Sequence, residues 1–219
     1  MINNTFQILG FTYGGVKIYV NGGSCLGKKV SLLLFLLFLF VSAGCNYTQP
    51  KSYEVEEYLV YSSIIEHNFK NKLIVINAFT MYEESPGNPG NLSDFKGYIH
   101  TFPGLSEQTI QSFIKRNNSS FALNNKLLKV KNKKIILQKR EVIIRIFKEQ
   151  NGWDKYYRIF PGSQGFMTLS KVGFNSDISE AIVYMGNSSA FLGGGGSVIY
   201  LIKKDGRWII KREMSSWAS

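Results

Sequence analysis

From Tyr53 to Phe69 the chain repeats with helical period. Val55, Tyr58, Leu59, Ser62, Ile65 and Phe69 stand at i, i+3 and i+4 on one face, with Glu54, Glu57 and Glu66 along a polar edge. The next segment, 71–80, is a run of β-branched and apolar residues and reads as a strand. Pro, Gly and Asn then crowd 83–91 too densely for any regular element, which predicts a surface loop. Ser106 is placed to cap a second helix through Arg116, with Leu105 and Ile110 as its hydrophobic staple. Residues 127–147 mix β-branched residues with lysines and are expected to be partly strand, and 152–162 reads as a helical turn or two stopped at Pro161.

The clearest pattern lies in the C-terminal third. Four strand-like runs, 167–174, 180–185, 198–203 and 207–214, are separated by turn signals at Asn175 to Asp177, Gly193 to Gly196, and Asp205-Gly206. Asp-Gly between two such runs marks a tight hairpin, because both turn positions favour positive φ. Helices early and a meander late give an α+β expectation: helices packed on one face of a curved antiparallel sheet with a C-terminal β-meander, in one domain over 53–219.

Before that domain the pattern changes. Lys28 and Lys29 precede an uncharged apolar run from Val30 to Ala43, followed by small residues and Cys45, and then the polar stretch Asn46 to Pro50. These are the three parts of a secretory signal, and the run is shorter than the ~20 apolar residues that a spanning helix needs. Residues 1–44 are therefore expected to be a signal peptide and 45–52 a tether. A translation start near Gly27 or Val30 would give that signal an ordinary length.

Val41-Ser-Ala-Gly-Cys45 resembles the lipobox of bacterial lipoproteins. The resemblance covers roughly residues 27–45. It implies cleavage between Gly44 and Cys45, lipid attachment at the Cys45 sulfur, and membrane association through acyl chains, two or three of which give lasting attachment. Asn46 is unlike the Asp that retains some Gram-negative lipoproteins at the inner membrane, which points to the outer membrane or cell surface. An integral membrane protein that keeps 30–44 as an uncleaved anchor is the alternative. The C-terminal pattern, Val172-Gly-Phe-Asn175, Ala181-Ile-Val-Tyr184, Gly193 to Gly196 and the closing Trp208 and Trp217, is similar to the end of uncharacterised secreted bacterial proteins, a resemblance that implies a fold family and no activity.

Composition narrows the chemistry. Cys25 and Cys45 are the two cysteines of the chain, so the domain after Cys45 holds no disulfide, Cys-ligated zinc or second thiol. The net charge of +11 includes Lys17, Lys28 and Lys29 of the leader; 23 basic and 15 acidic residues follow it, a balance of +8. Such a surface can meet anionic lipid, but the basic stretch from Lys126 to Arg140 lacks the interleaved aromatics of a single-strand nucleic-acid binder, and no nucleic acid is expected. His67 and His100 are the two histidines, and no serine-hydrolase, zincin or P-loop motif occurs, so no cofactor or metal is expected. Gly193 to Gly196 reads as a hairpin loop and not as a phosphate cradle, and Glu83 and Glu84 as solvated loop acids. Trp153, Tyr156, Tyr157, Phe160 and Phe166 form an aromatic group that either packs a core or lines a groove. The functional expectation is a lipid-anchored envelope protein acting as a non-enzymatic binding or structural module for an envelope partner; the alternative is a hydrolase-like envelope enzyme using carboxylates in a pocket between helices and sheet.

Overall fold

The structure, a computed structural model, describes residues 9–13, 16–20, 53–82, 102–148 and 150–219. Residues 21–52, which hold the apolar run of the leader, Gly44, Cys45 and the tether, lie outside the described residues, as do the 83–91 loop and His100. The chain divides into two compact units, 1–50 and 51–219. In the first, β1 (Leu9–Tyr13) and β2 (Val16–Val20) pair antiparallel.

The second unit is α+β. Its elements run α1 (Tyr53–Asn68), β3 (Leu73–Asn77), α2 (Glu107–Arg116), β4 (Lys134–Gln138), α3 (Arg140–Phe147), α4 (Gly152–Ile159), β5 (Ser163–Leu169), β6 (Gly173–Phe174), β7 (Glu180–Ala190), β8 (Gly193–Lys204) and β9 (Arg207–Ala218). The strands form one seven-stranded sheet in the order β4-β3-β5-β7-β8-β9, with β6 pairing β7 off that path. Among β5 to β9 every pairing is antiparallel, so C-terminal antiparallel hairpins form, with the expected 167–174 run divided between β5 and β6, and Asp205 and Gly206 take φ of 50° and 77° in the last turn.

Two parts of the expectation need correction. The sheet is mixed, because β3 pairs parallel with both β4 and β5. The helices also cover both of its faces. The cause is α3, which follows β4 in a segment whose β-branched residues read as strand. Parallel strands need a return crossing between them, and α3 and α4 supply it from β4 to β5.

Alternation along the strands then sends side chains into different cores. Ile74, Ile76, Met167, Leu169, Val183, Ile199 and Leu201 pack against α1. On the opposite face Val75 and Phe166 meet Ile143 and Ile146 of α3 and Tyr156 and Phe160 of α4. Further along that face Ile182, Tyr184, Val198 and Tyr200 meet Ile110 and Phe113 of α2. The β3–β5 ladder slips by one residue between Leu73 and Val75, and the Gln164 side chain repairs it: its Oε1 accepts from Val75 N at 3.2 Å and its Nε2 donates to Val75 O at 3.1 Å.

Helix α1 forms where its periodicity predicts, but turned about its axis. Val55 and Leu59, expected inside, are about half exposed, while Glu56 and Glu57 are only 2% and 1% exposed. The buried stripe runs Glu57, Val60, Tyr61, Ile64 and Ile65. Glu57 Oε1 accepts from Val172 N at 2.8 Å and from the Arg116 guanidinium at 3.3 Å, and its Oε2 pairs with Lys171. Glu56 Oε2 accepts from Trp208 Nε1 at 2.9 Å and pairs with Lys203 Nζ at 2.5 Å. A buried carboxylate is tolerated only when its charge and lone pairs are met in this way.

Helix α2 begins as expected, with the Ser106 side chain accepting from Thr109 N at 3.4 Å. The β7 residue Glu180 reinforces that end: its Oε2 accepts from Ser106 Oγ at 2.6 Å, Thr109 Oγ1 at 3.0 Å and Ser106 N at 3.2 Å.

Removing a counterion from Glu57 should strand a buried charge. Lys171→Met is expected to lower unfolding free energy by about 3 kcal/mol in urea titration, with Lys171→Arg losing less. Alkaline pH should act on the buried phenols. Burial holds the Tyr61 and Tyr156 protons above the ordinary value of 10.0, so the unfolded chain releases them first. Stability is therefore retained below pH 10 and falls as pH rises past it, and the Tyr61→Phe/Tyr156→Phe variant should show a shallower fall in melting temperature.

Candidate functional site

The face of the sheet turned away from α1 carries a cleft of about 400 Å³, at the lower end of the range for small-molecule sites. Its floor follows from register. Asn77 stands opposite Gln138; the pair after Ile76 and Met167 sets Asn77 beside Thr168; Thr168 faces Gly186, Gly186 faces Gly196, and Gly196 faces Trp217. One transverse row thus crosses the sheet with small or polar residues at Asn77, Thr168, Gly186 and Gly196. On the same face, Phe166 of β5 flanks the row on one side and Tyr184 of β7 on the other. At a strand spacing near 4.8 Å, the trough from β3 to β8 is about 14 Å long.

Trp217 closes one end. A Cβ on Gly196 would overlap the Trp217 indole and the Tyr184 hydroxyl, and one on Gly194 would lie 3.1 Å from Trp217 Cη2. The glycines therefore seat the indole flat against the backbone, and Trp217 Nε1 donates to Tyr184 OH at 2.7 Å. β9 carries irregularities opposite Tyr200/Leu201 and Gly196/Ser197, which together shift its register by two residues and bring Trp217 opposite Gly196. The first turns Met214 to this face although Trp208 and Ile210 pack on the α1 side, as a bulge allows.

The opposite wall is α3, with Ile143, Ile144 and Phe147 towards the cleft and Arg140 and Lys148 at its ends. Trp153 of α4 continues the wall and meets Phe147 edge-on at 4.7 Å, with Tyr156 and Tyr157 behind it at 5.4 and 5.8 Å. Hydroxyl groups pin this aromatic block to the sheet: Tyr156 OH donates to Gly165 O at 2.6 Å and Tyr157 OH to Ser189 O at 2.7 Å. Burial raises the pKa of both phenols. Their protons stay in place at neutral pH and hold the wall.

The aromatic group named from the sequence divides between its two readings. Tyr156 and Phe160 are core, whereas Trp153 and Phe166 line the cleft. Gly193 to Gly196, expected as a hairpin loop, belong to β8; the turn is Phe191-Leu192, 88% and 76% exposed. His67 lies in the last turn of α1, away from the cleft. Within the basic stretch, Lys133 Nζ donates to Phe69 O at 2.6 Å and Asn71 O at 3.1 Å just past the end of α1, while Arg140 reaches the cleft. Glu83 and Glu84 lie outside the described residues. The carboxylates Glu56 and Glu57 belong to α1, on the other side of the sheet, and both are engaged in ion pairs. Among the described residues no group of three metal-ligating side chains converges, and no helix is long and apolar enough to cross a membrane.

Sequence reading misses Asn77, Thr168, Tyr184, Gly186 and Trp217. Their one signal is glycine inside a strand pattern, which marks close approach by a ring, a backbone or a ligand. Gly196→Ala should displace the Trp217 indole, change the near-ultraviolet circular dichroism of the tryptophans and cost about 1–3 kcal/mol of stability; an unchanged spectrum would refute the seating.

Compared with known proteins, the chain finds no counterpart: no protein-family model, no curated protein and no solved structure matches it.

Proposed function

We propose that this chain is a lipid-anchored protein of the bacterial envelope, in which acyl chains on Cys45 hold a binding module, residues 53–219, at the outer membrane or cell surface. The supporting observation is the cleft between α3 and the sheet. Its described lining combines apolar walls, Ile143, Ile144, Phe147 and Trp153, with the Asn77 amide, the Thr168 hydroxyl and two cations. Neither a carboxylate nor an imidazole is among those residues. Such a lining suits a ligand that is held by surface complementarity and a few directed polar contacts.

The address rests on the lipobox-like Val41 to Cys45 and the polar residues after it. A second acyl chain turns a marginal, reversible attachment into a lasting one. The basic balance of the mature chain favours the same location, since cationic side chains near an anionic leaflet each add about 1 kcal/mol of attraction.

Cells fed labelled palmitate should place label in the full chain and none in Cys45→Ala, and mass spectrometry of the mature protein should find acylated Cys45 as its first residue. Equal labelling of both proteins, or a mature chain that retains residues 30–44, would refute the anchor and favour an uncleaved membrane segment.

A further inference from the structure

We infer that one end of the domain docks onto an anionic lipid bilayer, with Phe191 and Leu192 entering the acyl boundary and a group of lysines meeting the headgroups. This contact is made by the folded domain itself and rests neither on the cleft nor on acylation of Cys45. Register, charge and exposure carry it.

Register gathers this end from distant parts of the chain. The parallel strands β3 and β4 start together at Leu73 and Lys134, β5 starts beside them at Ser163, and the antiparallel β7 finishes there before turning into β8. The links 69–72, 131–133 and 160–162 therefore meet near the Phe191-Leu192 turn. Hydrogen bonds join them: Lys133 Nζ donates to Phe69 O and Asn71 O, Asn71 Nδ2 donates to Gly162 O at 3.1 Å, and Tyr157 OH donates to Ser189 O. Tyr53, where the chain enters the domain, packs on Phe174 at the opposite end.

Charge is one-sided here. Lys70, Lys72, Lys131, Lys133 and Lys134 lie in or beside these links, Arg158 sits in the last turn of α4, and the links themselves contain no Asp or Glu. The flanking helices contribute the acids Glu66 and Asp154, of which Glu66 accepts from Lys131 N at 3.2 Å. The other end mixes signs, with Asp177 and Asp205 among Lys204 and Arg207. A cluster of cations at one end attracts an anionic leaflet within a Debye length of its surface.

Exposure supplies the apolar part. Phe191 and Leu192 are 88% and 76% exposed and belong to none of the three described cores. Turn chemistry does not call for them, since short hairpin loops favour Gly, Asn and Asp. Ile159, just before the 160–162 link, is also exposed. Apolar side chains set among cations suit the headgroup–acyl boundary, where both find partners. A soluble polyanion would satisfy the lysines and leave Phe191 and Leu192 in water, and a second copy of this end would bring like charges together. In a chain that also carries acyl groups, this contact adds the second attachment that makes membrane binding last.

The test uses the full chain with Cys25→Ser and Cys45→Ser, so that Leu192→Cys, or Ser176→Cys at the opposite end, gives one thiol for an environment-sensitive fluorophore. Each protein is reconstituted in phosphatidylcholine vesicles, with or without phosphatidylglycerol, that contain spin-labelled acyl chains as quenchers. The label at position 192 should be quenched in the phosphatidylglycerol vesicles and not in phosphatidylcholine alone, while the label at position 176 stays unquenched in both. The same fluorophore stands at both positions, so its own apolarity cannot produce that difference. Lys70→Gln, Lys72→Gln and Lys134→Gln should each lower the ratio of docked to undocked tip about fivefold, and circular dichroism should remain unchanged. Salt at about 1 M, where screening sets in within ~3 Å, should release the tip. Equal quenching at both positions, equal quenching in both lipids, or none at position 192 would overturn the docking. If the label at position 192 stays unquenched and responds only to added heparin, this end binds a soluble polyanion and the bilayer assignment falls.

Discussion

Two adjacent carboxylates on one helix, Glu56 and Glu57, govern how the domain is assembled. Consecutive helical residues point about 100° apart, so both can be buried only if α1 lies down onto a surface offering cations on two sides. The strands β8 and β9 provide Lys203 and the Trp208 indole for Glu56, and the link between β5 and β6 provides Lys171 and the Val172 amide for Glu57. Arg116 of α2 adds a third cation to Glu57. Each ionised group taken out of water carries a penalty that is offset only by good geometry, so these pairs act less as sources of stability than as restrictions on how α1 can be rotated and placed. A helix that buried Val55 and Leu59 would have satisfied its hydrophobic stripe and left that clamp unmade.

With α1 held on one face, the other face is left to shorter helices that do not cover it evenly. Tyr156 and Tyr157 pin α3 and α4 over the β3–β5 end, and Glu180 pins the start of α2 over the β7–β8 end. The trough opens between these two covers, at the transverse row where side chains are small. It is a product of register: Thr168, Gly186 and Gly196 come from three separate strands, and only their alignment across the sheet turns small residues into a groove. Trp217 shows the same dependence, since without the irregularities in β9 its indole would not lie over Gly196.

Much of this was legible in the chain. The α2 cap at Ser106, the Asp205-Gly206 hairpin, the strand at β3 and the late antiparallel hairpins depend on neighbours within a few residues, and local chemistry decides them. Residues 127–147 were only half legible, because Ile143, Ile144 and Ile146 are β-branched and favour strand by propensity, yet α3 buries two of them against Val75. Tertiary packing outweighs propensity of that size. The glycine run misled for a related reason: glycine signals a turn when its neighbours are unknown and a close approach once Trp217 is placed above it.

The sequence by itself determined the α+β class and the positions of most elements, because each is written in spacing and capping along one short segment. The tertiary structure decided which face of α1 is buried, that β3 pairs parallel on both sides, and that a cleft exists. Those outcomes depend on residues far apart in the chain, Glu57 with Lys171 and Gly186 with Gly196 and Trp217, whose partnership is set by burial and register and leaves no local pattern to read.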